Sequence, residues 1–439
     1  MSNYRVAFIS LGCAKNLVNT EQMAALVREA GHTIVPDPEG ADVCVLNTCG
    51  FIDSAKSEAI DHILELARLK DAGQLKKILV AGCLSQRYRE DIRTELPEVD
   101  GMLGTGSYNE VVAAIEAVMG GESPECFGDI SHTYDDGERL VSTVPWSAYL
   151  KIAEGCDNYC AFCIIPYLRG HYRSRSMESL LAEAKKLSDA GVKELIVIAQ
   201  DITRYGVDLY KKPMLAELLR ELCKLDFHWI RLHYLYPDMI TDELIDVMAE
   251  HDKILNYLDI PIQHCNDKIL KAMCRRGTKQ QIVDLFAKLR KRLPGLVLRT
   301  SLICGLPGEG EAEFEELCEF LREARIERVG VFPFSPEEGT PAEKMPDRVD
   351  AEEAQRRAEL IMDFQQGIME DFYASRIGKT LPVLCTDIDG AYRVGRSEAD
   401  SPEIDGVVYF EGEALPGEIV PVHITGLVDG ELSGEQVKE

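Results

Sequence analysis

Three cysteines spaced x3 and then x2, in Cys156-Asp-Asn-Tyr-Cys160-Ala-Phe-Cys163, constrain this chain more than any other stretch. Close thiolates in a loop hold iron–sulfur clusters, and a 4Fe–4S cubane normally takes four of them. No fourth cysteine lies near this run, so a cluster held here keeps one iron without a protein ligand. That is a fault in an electron carrier and a requirement in a cluster that binds substrate. Residues 149–155 read as a strand, which sets the cysteines in the loop after it. Zinc sites favour paired motifs, yet Cys160/Cys163 is the only C-x2-C in the sequence. A disulfide needs an oxidising compartment, for which nothing in the sequence argues.

Composition bounds the rest. At ~150 residues per domain, 439 residues suggest about three domains. Hydrophobic residues make up 46% and charged ones 28%, as in an ordinary soluble globular protein with ample core. The start shows no basic-then-apolar leader, and no apolar run approaches the ~18 residues that span a bilayer, so no membrane partner is expected. Fourteen cysteines without a secretion signal point to the reducing cytoplasm and to metal sites. The net charge of −27 is opposite to the footprint of a nucleic-acid binder. It suits a basic partner, or serves only solubility.

Residues 1–130 alternate strands (5–11, 42–47, 77–81 and a weak 102–104) with helices (19–29, 54–69, 109–119), which predicts a parallel α/β sheet. A cysteine follows each of the three clear strands: Cys13, Cys49 and Cys83, beside Gly12, Gly50 and Gly82. Ligands of open α/β sheets bind at the strands' carboxyl ends, so three thiols distant in sequence meet at one edge as a second open triad. A lone cysteine of this kind is more often simply buried; Cys44 is read as core, and Cys126 falls in a polar linker (120–136) with no role. Residues 140–372 alternate again, with strands at 195–199, 229–232, 257–260, 297–303 and 329–334 after the cluster strand. This fits a partial (β/α)6 barrel whose reactive groups sit at the carboxyl strand ends. Those ends carry Gln200-Asp201, His233, Gln263-His264 and residues 305–308, read as a set lining a cofactor pocket. A charged helix at 350–375 leads into residues 377–439, where short strands (381–386, 392–396, 407–411, 419–424) predict a small antiparallel OB-like barrel.

The motifs Ser10-Leu-Gly-Cys-Ala-Lys-Asn16, Asn47-Thr-Cys-Gly-Phe-Ile-Asp-Ser-Ala-Lys56 and Ala153-Glu-Gly-Cys-Asp-Asn-Tyr-Cys-Ala-Phe-Cys-Ile-Ile-Pro166 resemble the radical S-adenosylmethionine (SAM) methylthiotransferases. The likeness continues through Tyr257-Leu-Asp-Ile-Pro-Ile-Gln-His264 and Phe334-Ser-Pro-Glu-Glu-Gly-Thr-Pro341 and covers essentially the whole chain, the last module matching the TRAM domain. Ala14, Asn19-Thr20 and Cys304 depart from the usual pattern without removing a ligand. The resemblance implies two 4Fe–4S clusters, on Cys156/Cys160/Cys163 and on Cys13/Cys49/Cys83. The first binds and cleaves SAM to a 5′-deoxyadenosyl radical; the second carries the sulfur that another SAM methylates. Phe162, Gln200 and Gln263 are the expected SAM contacts.

The branch it is most similar to modifies the β-carbon of an aspartate in a basic small-subunit ribosomal protein, acting as a cytoplasmic monomer fed by an electron donor such as flavodoxin or ferredoxin. The sister branch, which modifies a tRNA adenosine, is the alternative; a plain electron carrier is disfavoured by the missing fourth thiolates. Charge decides between the branches. Residues 377–439 hold four cations against thirteen carboxylates, net −9, a field that repels a phosphate backbone and disfavours tRNA binding.

Overall fold

The structure, a computed structural model, describes residues 3–131 and 138–438. Its first sheet contains β1 (Arg5–Ser10), β2 (Thr33–Val35), β3 (Val43–Thr48), β4 (Lys77–Gly82), β5 (Gly101–Leu103) and β6 (Glu125–Cys126), in spatial order β2-β1-β3-β4-β5-β6. Every ladder is parallel. β3 and β4 lie centrally and are apolar on both faces, so they are almost wholly buried between two core clusters.

Helix α1 (Ala14–Glu29) starts five residues before the sequence suggested, directly after Cys13. Its polar first turns hid the start, because they are spent on hydrogen bonds to the sheet rather than on solvent. The Asn16 amide donates to the carbonyls of Leu11 and Thr48 at 3.0 and 2.9 Å, and Asn47 donates to the Thr20 hydroxyl at 2.9 Å. Helices α2 (Asp53–Asp71) and α3 (Cys83–Arg87) follow β3 and β4. Cys126 sits in β6 rather than in a linker; residues 132–136 of that expected linker lie outside the described residues.

The cluster strand divides into β7 (Ser147–Lys151) and β8 (Ala153–Glu154), the latter paired with β9 (Arg173–Ser174). β7 continues into a six-stranded parallel sheet with β10 (Glu194–Ile198), β11 (Trp229–Leu232), β12 (Ile254–Asp259), β13 (Val297–Cys304) and β14 (Arg328–Pro333), in order β14-β13-β12-β11-β10-β7. This is the expected partial barrel. Alternate residues divide between its faces: Leu195 and Val197 pack into the main core, while Ile196 and Ile198 meet Val18 of α1.

The last five strands, β15 (Thr380–Asp389), β16 (Tyr392–Ser397), β17 (Val408–Glu411), β18 (Ile419–Val428) and β19 (Glu431–Gln436), close into a barrel. Four ladders are antiparallel, and β17–β19 is parallel. The polar run Glu-Leu-Ser-Gly-Glu-Gln had concealed β19. No helix among the described residues is long and apolar enough to cross a membrane.

The segment between β16 and β17 docks on the amino ends of the half-barrel strands. Arg396 and Arg231 both donate to the buried Glu194 carboxylate, at 2.6 and 2.8 Å. Ser401 pairs with Nε2 of His233 at 3.0 Å, the Tyr257 hydroxyl donates to Asp405 at 2.6 Å, and Arg328 donates to Asp400. His233, expected at the mouth, therefore belongs to this plug.

Burial works against the Glu194 charge, but Arg396 and Arg231 outweigh it and hold its carboxyl down at about 2. In the unfolded chain it titrates near ~4.3, so the folded state binds fewer protons there. The stabilisation is complete above that pH and is lost as pH falls toward 2. Glu194→Gln should therefore cost about 3 kcal/mol at neutral pH, and its thermal midpoint should converge on the parent's in acid. A gap between the two that stays constant down to pH ~2 would refute this account.

Candidate functional site

Cys13, Cys49 and Cys83 occupy equivalent turns at the ends of β1, β3 and β4. Cys13 caps α1, and Cys83 opens α3. Glycine brings the three turns together. A Cβ on Gly12, whose φ is +85°, would come within 2.6 Å of the Cys49 Cβ and 3.1 Å of its Sγ. One on Gly50 would lie 2.9 Å from the backbone of Leu84, next to Cys83. Burial pushes the Cys49 thiol up to about 11 and raises Cys83 as well. Cys13 goes the other way: burial is outweighed by Lys15, Arg169 and the backbone N–H groups of Asn16 and Lys15, so its thiol lies below the ordinary value.

Cys156, Cys160 and Cys163 lie in the loop between β8 and the helix Ile165–Arg169. Tyr159 takes a left-handed φ of 48°, and the Cys163 N–H donates to the Cys160 carbonyl at 2.9 Å, which coils the loop around its thiols. The Ala161 N–H anchors it to the Met273 carbonyl at 3.0 Å. Burial raises Cys156 to about 11 and Cys163 further.

All six cysteines line one cavity of about 360 Å³, together with Phe162, Gln200 and Gln263. The edge of the first sheet thus faces the mouth of the half-barrel, as the sequence required. Each triad also meets one guanidinium that sequence reasoning missed. Arg169 points Nη2 at Cys83 Sγ, 3.4 Å away, and Arg275 points Nη1 at Cys160 Sγ, 3.6 Å away. Neither arginine sits in a motif of its own; only the tertiary arrangement brings it to a thiol.

Among the described residues, no three His, Cys, Asp or Glu side chains are placed to hold a single metal ion. Six thiols ringing one cavity at wider spacing suit multinuclear clusters, in which each cysteine takes a different iron. Gln200 supplies a second test of fit. Its Nε2 donates to Glu154, while its buried Oε1 has no hydrogen-bond partner among the described residues. An orphaned acceptor on the cavity wall suits a donor such as the amine of SAM. Gln263 is held in a left-handed conformation at φ 71° by backbone bonds to Ser301 and Ile303. With Phe162 it also lines an adjoining groove of about 580 Å³, walled by Phe51, Phe332 and Phe334.

Other expected mouth residues do structural work away from the cavity wall. Asp201 accepts from Asn158 at 2.9 Å and caps the turn at Thr203. His264 sits 3.5 Å from Glu309, whose carboxylate also takes the Gly305 N–H and Arg357, and so locks the 305–308 turn.

Family models match three segments: the uncharacterized protein family UPF0004 over residues 5–104, the Radical SAM superfamily over 150–321, and the TRAM domain over 377–437. Ribosomal protein uS12 methylthiotransferase RimO of Lachnoclostridium phytofermentans is 48% identical over 436 residues, covering 98% of this chain and 99% of the relative. The protein of the same name from Clostridioides difficile is 45% identical over 440 residues, 99% of each. Among solved structures, the radical SAM methyltransferase TsrM of Kitasatospora setae aligns over 88% of this chain and 79% of its own, with a TM-score of 0.58. At 13% identity that is a likeness of fold.

The close turns make Gly12→Ala a direct probe of the geometry. The added methyl meets Cys49 and forces a left-handed alanine, which should lower stability by about 2 kcal/mol or more in urea titration. An unchanged midpoint would show that the first two turns are not pressed together.

Proposed function

The chain belongs to the family of ribosomal protein uS12 methylthiotransferases, and we propose that it transfers a methylthio group to the β-carbon of an aspartate in that small-subunit protein. One observation carries the reading: two cysteine triads, from separate sheets, share the wall of a single cavity. Cys156, Cys160 and Cys163 would hold one 4Fe–4S cluster, and Cys13, Cys49 and Cys83 a second. Phe162, Gln200 and Gln263 would hold SAM. Once bound, these groups supply hydrogen-atom removal from a carbon too weakly acidic for a side-chain base, and the methylthio group itself.

The chain's own residues hold and enclose. Arg169 and Arg275 direct N–H groups at one sulfur of each triad and offset thiolate charge. Val18 of α1 seals one side of the half-barrel against Ile196 and Ile198, and the 397–405 segment closes its amino end. The aromatic groove remains as the way in, with Phe332 half exposed at its rim.

The terminal barrel stands apart from that opening. It grips β14 at Arg328, at the strand's amino end, whereas the Phe332 and Pro333 rim of the groove lies at the carboxyl end. Of its four cations, Arg396 is buried on Glu194 and Arg393 donates to the Ala414 carbonyl. Among described residues 377–438, eight exposed carboxylates then face only two exposed lysines. Such a surface favours a basic ribosomal protein over tRNA, chiefly by speeding encounter and rejecting wrong partners. The enzyme would work as a cytoplasmic monomer, drawing electrons from a donor such as flavodoxin or ferredoxin.

Anaerobic reconstitution tests the assignment. Replacing Cys156, Cys160 and Cys163 together by alanine should leave about half the iron and no SAM cleavage. Replacing Cys13, Cys49 and Cys83 should also leave about half the iron, with SAM cleavage retained. Full iron in the first variant would overturn the ligand set. Phe162→Ala and Gln200→Ala should weaken SAM binding at unchanged iron; unaltered affinity in both would displace the SAM pocket. Mass spectrometry should find the added methylthio group on uS12 and none on tRNA. Tight, salt-sensitive tRNA binding by the full chain, with tRNA modification, would overturn the substrate.

A further inference from the structure

Four cations stand on the wall of the cysteine-lined cavity: Lys15, Arg169, Arg275 and Arg299. Three are committed. Arg169 donates to Glu154 and Asn19, both at 3.0 Å, and Arg299 pairs with Asp259 at 2.7 Å. Arg275 is directed at Cys160 Sγ and the Pro261 carbonyl. Lys15 differs. It is only 7% exposed, yet among the described residues it has neither a carboxylate partner nor a hydrogen bond to a carbonyl or sulfur, and the one thiol it acts on is Cys13, two positions away. Its ammonium lies 3.4 Å from the centroid of the Tyr234 ring. A buried charge is costly unless it is paired, so an ammonium kept here without a carboxylate points to an anion that arrives with a ligand.

The platform beneath it is built rather than incidental. Tyr234 adopts a left-handed φ of 66°, a strained state for a bulky residue. Its N–H donates to Asp259 Oδ2 at 3.2 Å, and the same carboxylate anchors Arg299. Asp259 thus fixes the ring that cradles the Lys15 ammonium. The cavity also shares Phe51, Phe162, Gln263 and Ser301 with the aromatic groove. A side chain entering by the groove therefore arrives in the space that Lys15 faces.

We propose that Lys15 binds the carboxylate of the substrate aspartate and makes the site select an acidic side chain. This rests on the ribosomal-protein reading given above. The carboxylate is bonded directly to the carbon that reacts, so fixing it fixes that carbon, which is the usual source of orientation in a bound complex. An adenine base brings no such anion, so the same lysine discriminates against the sister substrate.

The test uses the reconstituted full-length enzyme and fluorescent peptides carrying either the target aspartate or asparagine in its place. The parent should bind the aspartate peptide about 10- to 100-fold more tightly, the usual scale for a hydrogen bond to a charged group. Lys15→Met should erase that preference at the parent's iron content, and Lys15→Arg should keep part of it. A Lys15→Met variant that retains the preference overturns the proposal. So does one that loses iron, since Lys15 would then serve the thiolates of its own triad. A parent that modifies the ribosomal protein yet binds both peptides alike overturns this assignment alone. A parent that modifies no ribosomal protein overturns the functional reading with it.

Discussion

The Arg169 guanidinium touches both halves of the catalytic unit at once. It leaves the helix behind the Cys156/Cys160/Cys163 loop, almost fully buried, and reaches Asn16 and Asn19 of α1, Glu154 of β8 and the sulfur of Cys83. Burial would drive Glu154 toward its neutral form, but Arg169 and then Lys151 hold its carboxyl well below the usual range. The same cation helps keep the Cys13 thiol low. A buried charge stays tolerable only while every partner is in place. The register between the first sheet and the half-barrel is therefore fixed where the triads meet. Gln200 joins this network through Glu154, so the residue with an orphaned acceptor on the cavity wall is positioned by the group that neutralises Arg169.

At the other end of the strands the same principle recurs with a different module. Glu194 takes two guanidiniums, one from β11 and one from the terminal barrel, while Arg328 takes Asp400. Half-barrels leave polar strand ends that need covering. Here the covering is a loop whose own charges are consumed in the contact. That accounts for a module rich in carboxylates having one of its acids, Asp400, almost wholly buried. The isolated barrel would lose the Glu194 partner of Arg396 and the Arg328 partner of Asp400, so its charge pattern has meaning only on the full chain.

Much of this was legible in the sequence. Short apolar runs with intervening helical patterns gave the two parallel sheets, and cysteines at three equivalent turns gave the Cys13/Cys49/Cys83 triad. Cysteine spacing alone gave Cys156/Cys160/Cys163. What escaped depended on burial of polar residues. The start of α1 was hidden because Lys15 and Asn16 look like loop chemistry until the carbonyls of Leu11 and Thr48 take the Asn16 amide's hydrogen bonds. β19 was hidden by its polar face. His233 and His264 look like mouth residues by position, yet one pairs with Ser401 and the other with Glu309. Arg169 and Arg275 carry no local signal, because a guanidinium aimed at a sulfur more than 80 positions away is a property of the fold.

On the substrate reading proposed above, charge selection divides into two ranges. The terminal barrel acts at a distance. Its exposed carboxylates lie on a module that grips β14 at the strand's amino end, opposite the Phe332 and Pro333 rim of the groove. They affect whether a basic protein approaches. Within the cavity the sign reverses: Lys15, Arg169, Arg275 and Arg299 form its charged wall, where Asp259 is the one carboxylate among the described lining residues and Glu154 stands behind Arg169. A basic protein that carries one acidic side chain on an exposed loop satisfies both fields. A polyanion meets repulsion on approach before the cationic wall is within reach. The ordering of the two fields along the strand axis thus makes the first filter a matter of overall charge and the second a matter of a single side chain.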